Sequence, residues 1–217
     1  MKNTRKKGII ISVSLLISFI AWTLLVRIID VRAIGPNNSS VGFSELNSAF
    51  HALTGTNMLL YTITDWLGLV PIGTALGFAL LGLVQWVKRK RIWAVDRSIL
   101  ALGGFYLVVM LVYIVFEFAV INYRPVLIEN RLEASYPSST TILVMCVMPT
   151  AMMQINRRIK NAALRITALT VFAAFTAFTV IGRLVSGVHW LSDIVGGIFI
   201  SSGLVSAYYS VTASFEQ

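Results

Sequence analysis

His189 and Asp193 stand four residues apart, the spacing at which two side chains share one face of a helix. A carboxylate in that position accepts from one ring nitrogen and fixes the imidazole tautomer. The other nitrogen is then available as a nucleophile or base. Arg124 and Arg183 add planar guanidinium forks suited to phosphate oxygens. Pro137, Ser138 and Ser139 read as the opening of a helix, whose free N–H groups favour an anion. Each feature alone has a plain structural reading: an arginine at a membrane edge snorkels, and a His–Asp pair is often just a satisfied pair. Together they describe a phosphoryl-transfer site. It calls for no metal and no cofactor, because the arginines take the charge-stabilising role.

The elements that must position these residues are membrane helices. Of 217 residues, 57% are hydrophobic and 12% charged, about half the charge of an average globular chain. That excludes a soluble domain with a wetted surface and, more firmly, intrinsic disorder. The single cysteine, Cys146, excludes an intrachain disulfide and a cysteine-based zinc site. Crossing a bilayer takes about 20 mostly apolar residues, and six stretches qualify, at about 8–26, 67–87, 98–116, 138–155, 163–182 and 194–212. The backbone must satisfy itself in lipid, so the expected fold is all-α: one membrane-embedded domain, residues 1–217, with six transmembrane helices. The first stretch follows a basic segment as a signal peptide would, but its apolar core is long and no small-x-small cleavage site follows. It is read as a retained helix.

Thirteen of the 18 Lys and Arg residues, including all the lysines, precede the first span or fall in the loops after the second and fourth. Alternate loops share a side, so these mark the cytoplasmic face. Both termini are then expected inside. Arg124, Arg183, His189 and Asp193 fall on the extracytoplasmic side. The basic excess is thereby a topology label, and no nucleic-acid partner is expected. In the long outer loop, 28–66, Phe43, Leu46, Phe50 and Leu53 line one face of a helix starting at Ser44 and stopping at Gly55. It is expected to lie in the interface with that face in lipid, carrying His51 without chemistry.

These residues resemble the type-2 phosphatidic acid phosphatase superfamily, which includes bacterial lipid phosphatases and vanadium haloperoxidases. That family carries K-x6-R-P, P-S-G-H and S-R-x5-H-x3-D. Arg183, His189 and Asp193 fit the third motif, Arg124-Pro125 the end of the first, and Pro137-Ser138 the start of the second. The resemblance implies a cell-membrane enzyme acting on a phosphorylated lipid, a phosphomonoester or a diphosphate. By that resemblance His189 attacks phosphorus to form a phosphohistidine, Asp193 orients it, and Arg124 and Arg183 bind the phosphoryl oxygens with N–H groups near Ser138 and Ser139. Glu117 stands where the family has a phosphate-binding lysine, Thr140 where it has the histidine that protonates the leaving group, and Gly182 where it has a serine. A diphosphate leaving group needs less protonation. Glu117 reads either as a protonated acid raised by burial or as a salt-bridge partner of Arg124 or Arg183. Thr140 reads as a helix-start hydroxyl on phosphate or backbone. The alternative function is a catalytically impaired protein that binds or transports a phosphorylated lipid.

Overall fold

The computed structural model describes residues 2–216; Met1 and Gln217, the ends of the expected domain, lie outside the described residues. Eight α-helices occur among them: α1 (Lys2–Ile28), α2 (Ser44–Thr54), α3 (Met58–Trp66), α4 (Leu69–Arg89), α5 (Arg97–Phe118), α6 (Ser139–Arg158), α7 (Ala162–Val185) and α8 (Leu191–Thr212). The described residues form no β-sheet, only isolated bridges. Six helical stretches are long and apolar enough to cross a membrane, α3 and α4 together making one of them. The chain is therefore an all-helical multi-pass membrane bundle.

Large apolar side chains that no other helix covers, such as Ile17, Leu76, Leu111 and Ile166, point outward around the bundle. In water this would be an aggregation surface; in lipid it is solvated. The inside is built on α6 and α8, the two helices with the most buried residues. Small residues let neighbours approach. A Cβ on Gly203 would meet Leu16 of α1 at 2.9 Å, and Ser12 donates to the Gly203 carbonyl at 2.8 Å, so α1 lies along α8. Phe19, Phe116 and Tyr136 pack around one another, with the Tyr136 hydroxyl 2.7 Å from Thr23 Oγ1. Cys146 is fully buried in this core.

The two ends of the bundle differ in chemistry. Gly8 lies against Ser210, so the start of α1 and the end of α8 are at one end. Near that end Asp96 joins three helices. It accepts from Gln85 at 2.9 Å, from Arg89 at 3.1 Å and from Arg158 at 3.0 Å. Burial pushes its carboxyl up, but those donors outweigh it and hold it below the ordinary 3.8. The residues expected to do chemistry gather at the opposite end.

There the structure adds to the loop expected at 28–66. α2 does run from Ser44 to Thr54, with Gly55 at φ +62 as its stop. Its polar side faces inward: Asn47 is buried and Leu53 is 85% exposed. A further helix, α3, follows. The Asn57 side chain caps it by accepting from the Leu60 N–H at 2.9 Å. Gly68 permits the tight turn into α4, since a Cβ there would sit 2.8 Å from the Asp65 carbonyl.

Candidate active site

Four elements converge at this end: the start of α8, the end of α7, the loop 119–138 between α5 and α6, and α3. In the first, Asp193 sits at the third position of α8, and its Oδ2 accepts from the Trp190 N–H at 2.9 Å, a carboxylate closing the helix start. The same oxygen accepts from the Ser135 hydroxyl. Oδ1 accepts from Asn122 Nδ2 at 3.3 Å. The carboxylate is completely buried and fully occupied.

His189 is 3% exposed. Its Nε2 lies 3.1 Å from Arg124 Nη1 and its Nδ1 lies 3.1 Å from Ser135 Oγ. A guanidinium only donates, so Nε2 must be the accepting nitrogen and Nδ1 carries the hydrogen. A directed chain follows: Nδ1–H donates to Ser135 Oγ, and Ser135 donates to Asp193. The direct His189–Asp193 separation is 3.9 Å, so the serine is the link between them. Burial, and then the nearby charges of Arg124 and Arg183, hold the imidazole pKa well below its ordinary 6.5. His189 is a neutral ring with its lone pair on Nε2.

Arg124 and Arg183 are both buried. Arg124 Nε lies 3.0 Å from Glu133 Oε2, but its N–H is not aimed at that oxygen. Arg183 Nη2 lies 3.3 Å from Asp65 Oδ1. The Tyr61 ring sits beneath both guanidinium groups, 5.7 Å from Arg124 and 4.7 Å from Arg183. Arg124 Nε, Arg183 Nε and Arg183 Nη1 are buried donors without an acceptor among the described residues. Unsatisfied buried donors are costly and demand a reason. Three of them on two guanidinium groups that share the Tyr61 ring, near a neutral imidazole, suit a polyoxygen anion.

At the start of α6, Ser138 is already engaged. Its N–H donates to the Asp193 carbonyl at 3.2 Å and its Oγ accepts from Thr141 Oγ1 at 3.0 Å. That leaves the N–H groups of Ser139 and Thr140 as the helix-opening amides with no intrahelical acceptor. Glu117, at the end of α5, makes no ion pair with Arg124 or Arg183; their carboxylate partners are Glu133 and Asp65. Glu117 instead lines a small cavity with Ser135, Tyr136 and Ser139. Gly182 is where α3 packs on α7, since a Cβ there would meet Thr64 Cγ2 at 2.7 Å.

The loop that carries His189 is braced from outside. Gly187, at φ +66, comes so near the Gly55 carbonyl that a Cβ would overlap it. His51 Nε2 lies 3.1 Å from the Gly187 carbonyl, and its ring packs on Trp190 at 5.7 Å. Asn47 accepts from the Ser192 N–H at 3.1 Å and donates to the Ser192 hydroxyl at 3.0 Å. Beside the site an apolar groove of about 680 Å³ opens between α4, α5 and α6, with Asp65, Ser139 and Thr140 at its polar end. A second cavity of about 300 Å³ shares Ala75, Ala79, Gly103 and Tyr106 with it and reaches Trp86. From Gly68 to Trp86 the helix rise amounts to about 27 Å, close to the thickness of a bilayer's hydrocarbon.

Sequence reasoning passed over Ser135, Tyr61, Asp65, Glu133 and Asn47. Tyr61 and Asp65 had a signal: two polar residues four apart at the edge of an apolar stretch, one of them ionisable.

Fold and geometry thus describe a helical membrane protein in which two buried guanidinium groups with unpartnered donors lie near a neutral histidine. Residues 117–216 match the family model of the PAP2 superfamily. No curated protein matches the sequence significantly. Among solved structures, a transmembrane PAP2-type phosphatidylglycerolphosphate phosphatase from Bacillus subtilis is similar in fold. The TM-score is 0.60 at 18% identity, covering 94% of this chain and 96% of that one.

Proposed function

We propose that the chain is a single membrane-embedded lipid phosphatase that hydrolyses a phosphomonoester or diphosphate of a lipid through a phosphohistidine on His189. One observation carries this reading: a neutral imidazole, directed by Ser135 and Asp193, offers Nε2 between two buried arginines with unused donors. The incoming phosphoryl group draws Arg124 from Nε2 onto its own oxygens. Nε2 then attacks phosphorus, the bond to the lipid oxygen breaks, and water later cleaves the P–N bond. The arginines supply the charge stabilisation, so no metal is invoked. The groove supports a lipid, because an apolar channel nearly as long as a membrane leaflet pair leads away from the anion site.

The basic loops support an orientation in a cell membrane with the chain ends in the cytoplasm and the site at the extracytoplasmic face. Purified protein should release phosphate from a lipid phosphate in EDTA. His189→Ala should abolish release, while His51→Gln, which keeps a donor toward Gly187, should not. Release that survives His189→Ala would sink the mechanism. The second reading, a protein that binds or transports a phosphorylated lipid, draws on Thr140 standing where the family has its acid. It predicts stoichiometric binding with no phosphate release over hours.

A further inference from the structure

A leaving alkoxide needs a proton, and Thr140 cannot supply one because a hydroxyl is far too weak an acid. We propose that Asp65 is the general acid–base of this site; the proposal rests on the phosphohistidine reading above. Asp65 lies outside the matched segment 117–216 and outside all three motifs.

Its placement is specific. The carboxylate is 3.3 Å from Arg183 Nη2, at the edge of the seat for the phosphoryl oxygens. Its side chain is 55% exposed and lines the apolar groove together with Ser139 and Thr140. That is the side from which a lipid, and hence its leaving oxygen, must approach. Gly182 admits the helix that carries it: any side chain there would push against Thr64, the residue before Asp65.

The other acids are placed for different tasks. Asp193 is completely buried and its oxygens are taken. Glu133 faces Arg124 and does not line the groove. Glu117 lines a smaller cavity that adjoins the groove at Tyr113, Ser139 and Ile142, but it does not line the groove itself and pairs with neither arginine.

When a phosphate occupies Arg183 it takes that guanidinium from Asp65. The phosphoryl group enters carrying one proton, which it passes to the carboxylate beside it. As Nε2 bonds to phosphorus and the P–O bond breaks, this proton passes from Asp65 to the leaving oxygen. The products are a lipid alcohol, or a lipid monophosphate from a diphosphate, and the Asp65 carboxylate. In the second half, Asp65 takes a proton from the water that attacks phosphorus. The P–N bond breaks, the phosphate takes that proton from Asp65 and leaves with it, and both groups return to their starting state.

The test compares two leaving groups in the full-length protein. A long-chain alkyl phosphate needs its leaving oxygen protonated; p-nitrophenyl phosphate does not. Asp65→Asn should slow alkyl cleavage by about 10²–10⁴-fold and leave the rapid nitrophenolate burst within a few-fold of wild type. Asp65→Glu keeps the charge and displaces the proton by one methylene. As the variant less apt to disturb folding, it should slow alkyl cleavage several-fold and spare the burst. If either variant slows both substrates equally, or neither, Asp65 is not the acid. His189→Ala should abolish cleavage and burst alike. Cleavage persisting without His189, or a wild type that binds without turnover, overturns the phosphohistidine reading and this proposal with it. His189-dependent turnover with an Asp65→Asn effect blind to the leaving group overturns this proposal alone.

Discussion

His189 lies between a guanidinium and a hydroxyl, and the order of those neighbours sets its chemistry. Arg124 occupies Nε2 and Ser135 occupies Nδ1, so the lone pair points toward the anion seat. The i, i+4 spacing of His189 and Asp193 showed that a carboxylate would serve the ring. It could not show that a serine from a different loop stands between them, because Ser135 is 54 residues away in sequence. The neutrality of the ring leads to a measurable expectation. The chain has two histidines, so His51→Gln leaves His189 as the one imidazole. With the pKa depressed by burial and by two arginines, the ring should stay unprotonated as pH falls through 6.5 and take its proton only well below that. A histidine carbon-13 NMR titration in detergent reads this directly. Half-protonation at or above pH 6.5 would contradict the geometry. Replacing Arg124 by Gln removes one of the opposing charges and should move the midpoint up.

At the scale of elements, α3 is what the hydropathy pattern concealed. It continues almost directly into α4, and an apolar helix that skirts the membrane edge reads like the first turn of a span. Its packing on α7 is decided by Gly182 and Thr64, and only that contact brings Tyr61 and Asp65 to the arginines. α2 shows the converse. Its apolar face was legible from Phe43, Leu46, Phe50 and Leu53, whereas the use of its polar face, Asn47 on Ser192, required the fold. The groove between α4 and α5 offers a test at this scale. A Cβ on Gly103 would have nothing within 4 Å, so a larger side chain fits without strain and fills the channel. Gly103→Leu should displace on the order of two methylenes of a bound chain, each worth about 0.8 kcal/mol. That is roughly a tenfold loss of kcat/KM on a long-chain phosphate, with a short water-soluble phosphate unaffected. Equal effects on both substrates would show that the groove does not hold the chain.

For the whole molecule, the question is which way the bundle sits. The start of α1, the end of α8 and the Asp96 cluster lie at one end, the site at the other. In the proposed orientation the first end, which carries the basic loops, is cytoplasmic. Cys146 is buried and gives a silent background for thiol labelling. In intact cells a membrane-impermeant maleimide should react with Arg131→Cys and not with Lys88→Cys; in inside-out vesicles the preference should reverse. Labelling in the opposite sense would put the site in the cytoplasm. The sequence by itself determined the helical membrane class and the separation of basic loops from candidate site, and it singled out His189, Asp193, Arg124 and Arg183 as candidates for its chemistry. These are local properties, because hydropathy, charge and i, i+4 spacing are read along a single segment. Only the tertiary structure decided that Ser135 links His189 to Asp193, that Asp65 and Glu133 rather than Glu117 face the arginines, and that Gly182 marks a helix contact. Those are relations between segments far apart in the chain, set by which helix surfaces can approach closely, and no spacing within one segment encodes them.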